Sequence, residues 1–173
     1  MLRPALCLFI ALALFPQGPA LAADWETFSH DLGRGAAVCP YDDAETGAFF
    51  CFAIACPPER GTPSIRVALG GEVPDGDDVP LSVQVDGQML SHLYLSRLPQ
   101  DEQSEDTADF ATPFDPSRDE AMIAALMSGS RARLVFGTGL TAMIQEISLS
   151  GSHAALDKVS TLCGVPALAP EEE

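Results

Sequence analysis

Apolar and polar residues alternate in short runs over most of the chain, the two-residue period of strands that bury one face. The clearest run is Leu81-Ser82-Val83-Gln84-Val85, which leads into Asp86-Gly87, a strong hairpin signal, and residues 89–95 return from it. Residues 36–39, 48–56 and 65–69 read as further strands, the first two joined by the turn-rich stretch 42–47. Residues 131–136 and 142–149 form another hairpin, with Gly137 and Gly139 in its turn. Residues 24–32 fit either a short helix, from apolar positions at i, i+3 and i+7, or a strand beginning at Trp25.

Two later segments change to a helical period. Ser117-Arg118-Asp119-Glu120 has capping-box spacing, and Met122, Ile123, Leu126 and Met127 then share one face before Gly129. The last helix starts at Ser152, presents Leu156, Val159 and Leu162 together, and ends at Gly164. The expected fold class is therefore mainly β with two or three short helices, arranged as an antiparallel sheet or a small β-sandwich. About 150 residues can bury a real core, so disulfides would reinforce that fold rather than replace its core.

The register after Asp86-Gly87 decides which side chains face inward. A two-residue turn groups Leu81 and Val83 with Leu90, His92 and Tyr94. A three-residue turn with Gly87 as a bulge groups them with Met89, Leu93 and Leu95, and a one-residue slip exchanges the two sets. The bulged version is preferred, and it leaves His92 outside.

Composition adds a strong charge bias. The 173 residues include 9 Lys+Arg against 25 Asp+Glu, a formal charge of -16. That balance excludes a nucleic-acid partner, which needs a basic patch, and disfavours adhesion to an anionic membrane. Residues 99–116, containing DEQSEDTAD, read as a long solvated acidic loop. Within it Asp101, Glu102, Glu105, Asp106 and Asp109 are candidate docking residues for a basic protein partner.

The first 22 residues read as a secretory signal peptide. Arg3 supplies a positive start, residues 6–15 are apolar, Pro16, Gly18 and Pro19 break the helix, and Ala20-Leu21-Ala22 offers a cleavage site. Ten apolar residues are half of the roughly 20 that a bilayer core requires. No later segment is long and apolar enough to span, so no integral membrane contact is expected. The expected division is a signal peptide over 1–22, one β-rich domain over 23–165, and a disordered acidic tail over 166–173. Cleavage after Ala22 would deliver the domain to the periplasm or the exterior. It also removes Arg3, leaving 8 basic against 25 acidic residues, or -17.

Export leaves Cys39, Cys51, Cys56 and Cys163, an even set that points to two disulfides. Alternation along residues 48–56 puts Phe50, Phe52, Ile54 and Cys56 on one face and Cys51 on the other, so Cys51 and Cys56 diverge. Cys39–Cys51 across the hairpin and Cys56–Cys163 from strand to helix are the favoured pairs. In the chain-entropy picture the long closure contributes roughly 4 to 5 kcal/mol and the short one about 3. A zinc site lacks converging ligands at suitable spacing.

Candidate chemistry is thin. His30, His92 and His153 can be combined on paper with Ser150 or Ser152 and many aspartates, but no GxSxG elbow is present. Asp75, Asp77 and Asp78 form a weak calcium candidate, since carboxylates cluster on a glycine-containing loop. Pro74-Asp75-Gly76 reads more simply as a turn. No cofactor motif occurs, and no cofactor is expected.

A set of short motifs carries a resemblance. These are FAIAC ending at Cys56, Ile65-Arg66-Val67-Ala68-Leu69, Val83-Gln84-Val85-Asp86-Gly87, the helix around Met122 to Met127 with Ser128-Gly129-Ser130-Arg131-Ala132-Arg133-Leu134, and Ile147-Ser148-Leu149-Ser150-Gly151 followed by Ala154-Ala155-Leu156 and Cys163. Together they resemble small exported bacterial proteins of the invasion-associated locus B type. More loosely, the chain is similar to a small exported accessory protein of type VI secretion. The resemblance spans roughly residues 39–163 and implies a β-rich periplasmic or secreted domain without an established chemical activity. It assigns no functional residues. The expected function is a non-catalytic protein-interaction module, and the alternatives are an inhibitor of a basic enzyme such as lysozyme or a small hydrolase. Periplasmic lysozyme inhibitors carry an SGxxY-like motif, whereas Ser150-Gly151-Ser152-His153-Ala154 has no tyrosine.

Overall fold

In the computed structural model, residues 24–30, 33–58, 60–99 and 107–169 are described. The signal peptide of residues 1–22 and the docking candidates Asp101, Glu102, Glu105 and Asp106 lie outside them. The strands are β1 (Glu26–His30), β2 (Gly33–Asp43), β3 (Ala48–Cys56), β4 (Ser64–Gly70), β5 (Asp78–Val85), β6 (Gln88–Arg97), β7 (Thr107–Pro113), β8 (Arg131–Phe136) and β9 (Met143–Ser148). Helix α1 spans Pro116–Ser128 and α2 spans Ser152–Cys163.

Among the described residues the strands form one antiparallel sheet in the order β1-β2-β3-β4-β7-β6-β5-β8-β9. One face is apolar and fully buried, carried by side chains such as Phe52, Val67, Leu81, Leu95, Phe110 and Leu134. The sheet is coiled around this face. Phe110 on β7 and Phe136 on β8 are separated by two intervening strands, which would place them about 14 Å apart in a flat sheet. Their ring centroids are 5.2 Å apart. At the sheet's ends, the Trp25 indole N–H beside β1 donates to the Ser148 carbonyl of β9 at 3.1 Å. Helix α2 covers β1 to β3, and α1 packs on α2, β5 and β6. Among the described residues no helix is long and apolar enough to cross a membrane.

The cysteines form the two favoured pairs. Cys39–Cys51 bridges β2 and β3 with a Cα separation of 4.1 Å, and Cys56–Cys163 ties β3 to the end of α2 at 5.7 Å. The second bridge is buried between sheet and helix.

Five sequence readings are settled or corrected by the structure. Residues 26–30 take the strand alternative, pairing along β2 rather than forming a helix. The stretch 99–116 is not a continuous loop, because Thr107–Pro113 forms β7 in the interior of the sheet. Ala108 and Phe110 point inward there, so two buried residues within an acidic stretch suffice once β4 supplies a hydrogen-bonded partner along the strand. The β5–β6 turn is a two-residue turn, with Val85 opposite Gln88 and positive φ at Asp86 (48°) and Gly87 (85°). The extra residue lies further on. Gln84 pairs with Met89 but Val83 pairs with Ser91, so Leu90 is bulged and the faces exchange there. Ser91, Leu93 and Leu95 therefore face inward and His92 outward, while Met89 is exposed rather than inside.

The fourth reading concerns the start of α1. Asp115, not Ser117, is the cap: its Oδ1 accepts from the Ser117 amide at 2.9 Å and from the Ser117 hydroxyl at 2.7 Å. The Asp119 carboxylate returns the contact by accepting from the Asp115 amide at 2.9 Å, so the reciprocal cap is built two residues earlier than expected. Pro116 at the first helical position favours this start, since its missing N–H is not needed there. At the other end of the chain, residues 166–169 were grouped with the disordered tail, yet Leu168 is buried and Ala169 packs on the core. Residues 170–173 lie outside the described residues.

Candidate functional site

The loop between β4 and β5 and the turn between β8 and β9 project beyond the same end of the sheet. Between them lies an open cleft of about 430 Å³. Glu72, Asp75 and Asp78 are acidic residues of its lining, and Pro74, Leu140 and Met143 are apolar ones. Leu140, at the tip of the β8–β9 turn, is fully exposed. Positive φ at Gly137 and Gly139 lets the chain make this turn without side-chain clash. Among the described residues no Lys, Arg or His lines the cleft. Its chemistry suits a cationic head on an apolar stem, which carboxylates attract and the Pro74 and Met143 surface covers.

The calcium candidates occupy this region but do not converge. Asp78 Oδ1 accepts from the Ser96 hydroxyl at 2.7 Å, and the Asp77 carbonyl accepts from the Arg97 amide at 2.7 Å. Among the described residues no group of three or more His, Cys, Asp or Glu side chains is arranged to hold a metal.

Asp109 is the one docking candidate within the described residues. It is exposed on the outer face of β7, opposite Ala68 of β4, and its carbonyl accepts from the Leu98 amide at 2.8 Å. It is thus a strand residue with a free side chain and not a loop residue. A second acidic region is the β2–β3 turn. Asp43 there receives the Thr46 hydroxyl and the Glu45 amide, and these hydrogen bonds hold its carboxyl below the usual value.

Among the described residues no hydrogen bond joins His92 or His153 to Ser150 or Ser152. His92 Nδ1 lies 2.8 Å from Ser82 Oγ, with the Tyr94 ring edge-on at 5.6 Å. This serine–histidine contact joins neighbouring strands on the exposed outer face, outside every described cleft. His153 lines a separate depression of about 510 Å³ between the helices, with Asp157, Ser160 and Ser128 nearby. Both serine hydroxyls there donate to their own helix backbone, Ser160 to Asp157 at 2.9 Å and Ser128 to Ala124 at 2.8 Å. Ser152 is completely buried, its Oγ 2.6 Å from the Leu126 carbonyl and 2.7 Å from the Leu149 carbonyl. It joins the end of α1 to the start of α2 and is closed to substrate. The side chain of His30 lies outside the described residues.

Glu72, Leu140 and the threonines of the β8–β9 turn were not singled out from sequence. Residues 72 and 140 are far apart along the chain, and only the pairing of β5 with β8 brings their loops together. An exposed leucine beside two turn glycines was the available local signal. No family model matches the chain, and neither a curated protein nor a solved structure does.

Proposed function

We propose that the chain is an exported, non-catalytic interaction domain that takes a basic protein partner at the cleft between the β4–β5 loop and the β8–β9 turn. One observation carries this reading: Glu72, Asp75 and Asp78 line a cleft that has no Lys, Arg or His among its described lining residues, on a chain of charge -16. A lysine or arginine of the partner would lay its stem on Pro74 and Met143 and its charge among the carboxylates. Long-range attraction would steer the encounter and weaken as salt is added. Residues 1–22 act as the cleaved leader in this reading, and the two disulfides fit an oxidising compartment. The likeness to the invasion-associated locus B type belongs with the same proposal and names no partner. Inhibition of a basic enzyme such as lysozyme is its strictest form.

The test is capture from periplasmic extract on the immobilised domain at low and high salt. A specific partner retained at low salt should be released at high salt. It should also be lost from a variant carrying Glu72→Gln, Asp75→Asn and Asp78→Asn. Retention by that variant overturns the cleft as the docking site. A parallel deletion in the acidic loop should stop at residue 106, because removing Thr107–Pro113 would take a strand from the sheet. The hydrolase alternative rests on the Ser82–His92 contact, so it requires an activity that Ser82→Ala abolishes.

A further inference from the structure

We propose that Cys39–Cys51 is a thiol-exchange site, opened by a dithiol in the folded protein while Cys56–Cys163 stays closed. Exchange requires a thiolate to reach a disulfide sulfur, so access controls which bridge reacts. Cys39 is exposed and Cys51 half-buried on the outer face of the sheet. Cys56 and Cys163 are 0% and 1% exposed, enclosed between β3 and α2.

The two bridges also differ in what they hold. Cys39–Cys51 joins adjacent strands whose pairing continues on both sides, through Val38 with Phe52 and Tyr41 with Phe50. It sits at the irregularity between those pairs, where the ladder already lapses. Opening it therefore leaves the neighbouring β2–β3 pairs and the inner face in place. Cys56–Cys163 instead links positions 107 residues apart and anchors the end of α2 over the core. A reductant reaches it only after the helix leaves the sheet.

The chemistry balances with a neutral dithiol as the two-electron donor. One thiolate of the reductant attacks the exposed Cys39 Sγ, forming a mixed disulfide and releasing the Cys51 thiolate. The second reductant thiolate attacks the reductant sulfur of that mixed disulfide and expels the Cys39 thiolate. The reductant leaves as a cyclic disulfide, and each cysteine takes up one proton. A neutral reagent suits a surface with this excess of carboxylates, beside the acidic turn carrying Asp42, Asp43 and Glu45.

The experiment treats the oxidised, folded domain with dithiothreitol and quenches samples with an alkylating agent for peptide mass mapping. Cys39 and Cys51 should be labelled on the order of 1,000-fold faster than Cys56 and Cys163, because the buried pair waits on rare opening of the fold. Circular dichroism after the first phase should match that of the oxidised protein. Equal labelling rates, earlier labelling of Cys56 and Cys163, failure of Cys39–Cys51 to react, or loss of folded signal in the first phase would each overturn the proposal. In Cys39→Ala/Cys51→Ala the slow phase should quicken, because the short bridge no longer restrains the unfolded chain, yet stay slower than the opening of Cys39–Cys51 in the wild-type protein. Acceleration of that phase to the fast rate would show that the first bridge protects the second, which also overturns it.

Discussion

The two faces of the sheet follow different rules. Inward, each strand from β2 to β9 contributes a buried apolar side chain, from Val38 and Phe52 through Phe110 to Ile147. Outward, the same strands carry Ala37, Ala53, Arg66, Asp109, Ser82, His92, Arg133 and Glu146, small or polar groups at half-buried to exposed positions. The inner face is continuous because the sheet coils and the helices complete it. The outer face has polar groups but is convex. Its Ser82–His92 contact consequently lacks an enclosing wall, while the acidic cleft forms where loops extend beyond the strands. The proposed recognition therefore lies at the sheet's end, and the buried core on its concave side.

The sharpest way to break this contrast is to empty an inner position. Phe110→Ala should lower unfolding stability by about 3 to 5 kcal/mol, because it leaves a cavity in the core and removes the Phe136 ring contact. A urea titration measures the loss. Ser152→Ala, between the helices, should reduce stability by about 1 to 3 kcal/mol by removing the one hydroxyl proton shared between the Leu126 and Leu149 carbonyls, of which Leu149 keeps the Ser152 amide. The same titration with an unchanged midpoint would refute that role.

Acid conditions probe the cap of α1. The Ser117 hydroxyl, then the Ser117 amide, hold the Asp115 carboxyl below its ordinary value. A depressed folded value means that this contribution is complete above about pH 4 and fades as pH falls through the lower, folded value. Asp115→Asn keeps an acceptor at the cap but removes the titration, so urea midpoints should depend less on pH below about 4. An identical pH profile in wild type and variant would contradict this. The smallest effect belongs to the outer face: Ser82→Ala should change stability by no more than about 0.5 kcal/mol in thermal or urea unfolding. A core-sized loss there would erase the distinction between faces.

Legibility in the sequence follows the range of the interaction involved. The strand over 48–56 and the helix from Ser152 to Cys163 were readable because period, turn residues and the glycine stop at Gly164 lie within a few residues of one another. Alternation along one strand excluded a Cys51–Cys56 bond, and the hairpin and the helix stripe favoured the pairs that form. The start of α1 was misplaced by two residues because Ser117 and Asp115 both have capping chemistry, and the side-chain geometry selects between them. Among the candidate sites, only the Asp75 and Asp78 portion of the cleft was visible, as an acidic loop. Glu72 and the β8–β9 turn join it through pairing between distant strands.

The sequence alone determined the strand-rich class, the closing helix, the divergence of Cys51 from Cys56 and the acidic balance. These depend on local periodicity, side-chain alternation and composition. Tertiary structure decided that Thr107–Pro113 is an interior strand, that Leu90 rather than Gly87 is the bulge, and that Glu72 meets the β8–β9 turn. Each depends on which strands exchange backbone hydrogen bonds. The groups that make those bonds are the same in every residue except proline, so local side-chain pattern leaves the partner undetermined.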